Sequence, residues 1–152
     1  MIDISTKIIN DFAKVEKAAN RASVKALRSS GAYLRKVARN SIKSKTPPLD
    51  GKRKPSEAGK PPYSWKQPGM TFKDSILYAV EDGNVVVGPM GWGRGKKVGQ
   101  IQEFGGTASI TMPDDDGNKK SVLATYPKRP YMAPALERSQ SKISEFWRNS
   151  IR

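Results

Sequence analysis

The sequence predicts an α+β domain: a long N-terminal helix, a small antiparallel β-sheet, a C-terminal helix and a long exposed Pro/Gly/Lys loop. Three observations carry this. Apolar or small residues recur at alternating steps of four and three along the first 45 residues. Two β-rich runs flank Asp82-Gly83, a strong hairpin signal. Arg129-Pro130-Tyr131-Met132-Ala133-Pro134-Ala135-Leu136 turns an extended segment into a helix, because Pro130 holds Arg129 extended and Pro134 suits a first helical turn. A chain of 152 residues is enough for one domain with one modest core. At 36% apolar residues, much of it faces water or a partner.

The first helical segment, 1–45, carries the stripe Ile8, Phe12, Val15, Ala19, Ala22, Ala26, Tyr33 and Val37. Asp3 or Ser5 is placed to cap its start, and Arg35, Lys36, Arg39 and Lys43 favour the negative end of its dipole. Pro47-Pro48 stops it, and Ser29-Ser30-Gly31 marks a bend or a break. The Ala-rich middle suits close packing, either on the protein's own sheet or on a neighbouring subunit, since helices this long often serve assembly.

Residues 46–72 hold six prolines, three glycines and five Lys/Arg with no helical or strand period, and read as a long exposed loop ordered mainly by partners. In 73–152, Ser75–Glu81 and Asn84–Gly88 form the hairpin around Asp82-Gly83, and Val98–Phe104 is a short helix. Thr107–Met112 and Ser121–Thr125 are two further strands joined by the acidic turn Pro113–Asn118. Leu136, Ile143, Phe146 and Trp147 give the last helix its apolar face, with Tyr131, Met132, Ala135 and Leu136 as the latch that docks it. Glu103-Phe104-Gly105-Gly106 reads as a structural corner: Phe104 anchors the short helix to the sheet, and the glycines permit a tight exit.

The order of these features, taken with Glu103-Phe104-Gly105, Arg129-Pro130-Tyr131, Pro134 and Leu136, resembles the tail-completion and neck proteins of long-tailed bacteriophages. The resemblance runs from about Pro55 to Ile151, with the basic helix before it in the expected place and Gly59-Lys60-Pro61-Pro62 resembling the family's Gly-x-Pro-Pro loop. The chain departs from the family in two places. Tyr131-Met132 stands where Phe and a hydrophobe are common, and Gly106 where Thr often follows the glycine. The resemblance implies a structural virion protein that forms a ring, hexameric like the tail tube, between the tail and the head connector. Its partners would then be copies of itself and adjacent neck and tail proteins such as the tail terminator and the head-completion protein, with genomic DNA in the lumen. It also implies assembly in the host cytoplasm, and a pairing of Glu103 with Arg129.

Net charge is +14 and unevenly spread: +8 in residues 1–45, +3 in 46–72, −1 in 73–126 and +4 in 127–152. A basic periphery on a neutral middle points to a polyanion or an acidic protein surface. Lys36, Arg39, Lys43, Lys45, Lys52, Arg53 and Lys54 are the candidate DNA or partner contacts. The competing expectation is a nucleic-acid-binding protein outside any virion, with Tyr63, Trp65 and Trp92 available to stack on bases. No helix-turn-helix, zinc-module or RNA-binding signature accompanies those rings.

No enzyme is expected. The sequence has no cysteine and no histidine, which removes thiol nucleophiles, disulfides, imidazole bases and the usual zinc ligands. Gly91-x-Gly93-x-Gly95 fails as a P-loop, since Met90 stands at the first glycine position and Lys97 at the Ser/Thr position. Asp114-x-Asp116-x-Asn118 fails as a calcium loop, with Gly117 at its fourth position and Thr125 at its twelfth. Glu81, Asp82 and Glu103 lack a third group to orient them as acid or base. No cofactor or metal is expected, nor a signal peptide or membrane span.

Overall fold

The computed structural model describes residues 3–90, 97–113 and 118–150. The Gly91–Gly95 loop with Trp92, the Asp114–Asp116 turn, and the side chains of Asp3, Ser5 and Ile8 lie outside the described residues. Among the described residues nine elements follow in order: α1 (Asp3–Ser41), β1 (Ser44–Lys45), β2 (Ser64–Trp65), β3 (Ile76–Glu81), β4 (Asn84–Pro89), α2 (Val98–Phe104), β5 (Gly106–Pro113), β6 (Lys119–Tyr126) and α3 (Met132–Arg148). This is the α+β architecture expected. Among the described residues no helix is long and apolar enough to cross a membrane.

Helix α1 runs unbroken through Ser29-Ser30-Gly31 for 39 residues, a rod of about 58 Å. Gly31 is there for approach rather than for a bend. A Cβ at that position would stand 2.6 Å from both Tyr78 Cδ2 and Val85 Cγ2, so the missing side chain lets the β3–β4 hairpin lie against the helix. Arg35 Nε ties the two by donating to the Ile76 carbonyl at 2.9 Å.

The β3–β4 hairpin forms as read. Asp82 (φ 49°) and Gly83 (φ 73°) both take the left-handed conformation of a two-residue turn, which sets Glu81 opposite Asn84 and Val80 opposite Val85. Among the described residues the strands do not join into one antiparallel sheet. β3–β4 and β5–β6 are separate two-stranded pieces, while β1 and β2 make a third, parallel one. Between them Gly105, with a φ of 74°, turns the chain out of α2; a Cβ there would lie 2.9 Å from the backbone at Lys128 and Tyr126. β5–β6 leaves the body at that corner and packs chiefly on itself.

The β2 strand falls inside the segment read as loop. Ser64 N–H donates to the Lys43 carbonyl at 2.9 Å and Lys66 N–H to the Lys45 carbonyl at 2.8 Å. Two residues are too few for strand alternation to show in a sequence. Around them Ser56, Pro62, Ser64 and Phe72 are buried.

The core lies where the C-terminal half of α1 meets β3 and the start of α3: Ala38, Ile42, Phe72, Ile76, Tyr131 and Ala135, with Leu34, Val37, Val87 and Met132 packed against them. Phe72 and Tyr131 meet edge to face at 5.4 Å, and Tyr33 meets Phe146 in the same way at 6.0 Å.

Candidate functional site

An α-helix begins with backbone N–H groups that have no partner within it. At the start of α3 those of Tyr131, Met132 and Ala133 all donate to the Glu103 carboxylate, at 2.9, 3.0 and 2.9 Å. The next residue is Pro134, which has no N–H to satisfy. One buried carboxylate and one proline therefore close the whole first turn, and the negative charge sits at the positive end of the helix dipole. Burial, with the Glu103 charge second, pushes the Tyr131 phenol well above its usual range.

Arg129 does not pair with Glu103. Its Nε donates to the Ser56 carbonyl at 2.8 Å, and its own N–H donates to the Gln102 carbonyl at 2.6 Å. Gly59 N–H donates to the Lys128 carbonyl at 2.9 Å, so the Lys128-Arg129 segment stitches the Pro/Gly/Lys loop to α2. The expected pair fails because three backbone donors claim the carboxylate, while a carbonyl 73 residues upstream claims the guanidinium. Pro130 is half-buried beside them.

Two residues expected to anchor the fold do not. Phe104 is 74% exposed and Leu136 is 46% exposed. The latch is Tyr131, Ala135 and Ser139, the last donating to the Ala135 carbonyl at 2.7 Å, and this buried line runs along the side of α3 that faces α1. Leu136 belongs to the adjoining face with Ala133, Ile143 and Trp147. That face, with Leu27 and Leu34 of α1, Val85–Val87 of β4, Phe104 and Met132, lines an open groove of about 530 Å³, and among the described residues its one charged lining residue is Glu103. The sequence showed an apolar helix face but not that it was wider than the neighbour covering it.

The stripe on α1 is likewise split. Ala26 is buried, and Tyr33 and Val37 are half-buried against the body. Phe12 (71% exposed), Val15 (64% exposed) and Ala19 continue the same line beyond it, where every described residue from Phe12 to Arg21 is exposed.

The seven basic candidates form no single strip. Lys36 and Arg39 line a shallow depression with Arg35 and Lys73, and Arg39 is tied to Asp74 at 2.6 Å. The Thr71 hydroxyl and Arg39 hold the Asp74 carboxyl below its usual range. Lys45 lies 4.0 Å over the Tyr63 ring and Arg53 6.0 Å from Trp65, and the two rings meet edge to face at 6.2 Å. Tyr63 and Trp65 are thus engaged by neighbours rather than presented as open stacking platforms. Lys43, Lys52 and Lys54 are exposed.

Comparison with protein-family models, with curated proteins and with solved structures gives no significant match.

Proposed function

We propose that this chain is a structural subunit of the head–tail junction of a long-tailed bacteriophage, closing with copies of itself into a hexameric ring that links the tail tube to the head connector. The observation that supports it most is the division of the molecule into a small core and long projections. Apart from Pro62, eight apolar side chains are buried among the described residues, whereas the front half of α1 and the β5–β6 hairpin extend from that core with apolar residues uncovered. Such surface is costly to leave in water and is the raw material of a subunit contact. The likeness in motif order to tail-completion and neck proteins gives the ring its place. On this reading the work done is assembly: burying projections between neighbours and offering the basic groups to an acidic face of the adjoining ring or to the genome passing through.

The test is compositional and visual. Purified particles should contain this chain, and imaging should place it as a closed ring between head and tail. Particles that lack it altogether end the reading. A nucleic-acid-binding protein outside any virion would instead show binding to random DNA that falls steeply with salt and no presence in particles.

A further inference from the structure

Two apolar surfaces of this molecule have no cover among the described residues, and they differ in shape. One is convex: the line Phe12, Val15 and Ala19 on the front half of α1, running on to half-buried Ala22. The other is concave: the groove walled by α1, β4 and α3. We propose that the stripe of one copy lies in the groove of the next, a heterologous helix-in-groove contact that repeats around the ring. This rests on the self-assembly reading above and adds to it which surface meets which.

Four observations carry the proposal. The stripe cannot reach its own groove, because α1 is one unbroken helix whose later residues Leu27 and Leu34 already form a groove wall. The lengths agree: Phe12 to Ala22 spans about 15 Å along the axis, and Ala133 to Trp147 along the groove floor about 21 Å. The polarities agree as well. Among the described residues no Lys or Arg lines the groove, and the one charged residue that does, Glu103, is already taken up by three backbone donors. Ala19 and Ala22 keep the stripe low enough for close approach, with Phe12 and Val15 as its two knobs.

Charge completes the fit. Exposed carboxylates stand close in sequence to groove-lining residues: Glu81 and Asp82 in the turn that precedes Val85–Val87, and Glu137 next to Leu136. The front of α1 brings exposed Lys17, Arg21 and Lys25, long side chains that reach past an apolar seam to such carboxylates. A contact between two different patches also leaves a free stripe and a free groove on every pair, so it propagates until a ring closes, whereas a self-complementary contact would stop at two copies.

The chain has no cysteine, so single thiols can be placed cleanly. Val15→Cys and Leu136→Cys are both at exposed positions and leave the core intact. Mixing the two variants with a short bis-maleimide should give a linked product between unlike chains that dominates over either like pair, and Phe12→Asp in the Val15→Cys chain should reduce it by tenfold or more. A dominant Val15→Cys homodimer would mean that two stripes pair with each other, and it overturns the proposal. So does a Leu136→Cys product with a different neck protein and none with Val15→Cys. Absence of the mixed product also overturns it, while rings still seen in particles would leave the assembly reading standing. Particles without the chain would remove that reading whatever the cross-link shows.

Discussion

The two halves of α1 share one helix and one stripe yet have opposite fates. From Ala26 to Ile42 the stripe and its flanks sink into a core closed by Phe72, Ile76, Tyr131 and Ala135. From Phe12 to Arg21 the same periodicity is exposed throughout. The difference lies in what the rest of the chain brings to each half. β3, β4 and α3 all pack on the C-terminal half, and α3 is too short to follow α1 along its full length. The β5–β6 hairpin repeats the lesson, with Leu123 77% exposed on a strand pair that packs chiefly on itself. Periodicity therefore marks a surface meant for burial, not the molecule that buries it.

The largest loss of stability is expected in the body of the domain. Tyr131→Ala removes the largest fully buried side chain together with its contact to Phe72, and should cost about 3–5 kcal/mol in a denaturant melt. A loss below about 1 kcal/mol would show that the core lies elsewhere. Glu103→Ala comes next. It strips three charge-assisted bonds from the start of α3 and should cost about 2–3 kcal/mol. Glu103→Gln keeps one acceptor oxygen and should recover part of that loss, an outcome that packing alone would not give.

Alkaline titration reads the same region. In the unfolded chain the Tyr131 phenol ionises near 10.0, whereas in the folded chain burial raises its pKa. Its contribution is therefore fully present below pH 10.0 and is lost as pH rises from there towards the folded value. Tyr131→Phe should flatten that part of the stability profile.

The smallest expected effects fall on the uncovered face. Leu136→Ala should cost less than about 1 kcal/mol, because the side chain lines an open groove, and exposed Arg138→Ala should stay within about 0.5 kcal/mol. A loss of 2 kcal/mol or more for Leu136→Ala, on the scale of about 2–5 kcal/mol for buried leucines, would mean that the groove is filled in the free protein.

What the sequence determined by itself is local. Helical spacing, Asp82-Gly83 and the Pro130–Pro134 run located α1, the β3–β4 turn and the start of α3, because each acts through backbone preferences over a few residues. It also marked Glu103-Phe104-Gly105-Gly106 as a structural corner, while Arg129 was set beside that corner only by the family resemblance. It did not show that Glu103 would serve the backbone of a helix 28 residues away, or that Arg129 would serve a carbonyl 73 residues away. It marked Gly31 as a possible break, whereas the helix passes straight through and the glycine makes room for Tyr78 and Val85. It placed Phe104 and Leu136 inside, whereas they line an open groove. Those outcomes depend on which elements meet and on how far one reaches along another. Burial is a property of the pair of surfaces in contact, so only the tertiary structure could decide it.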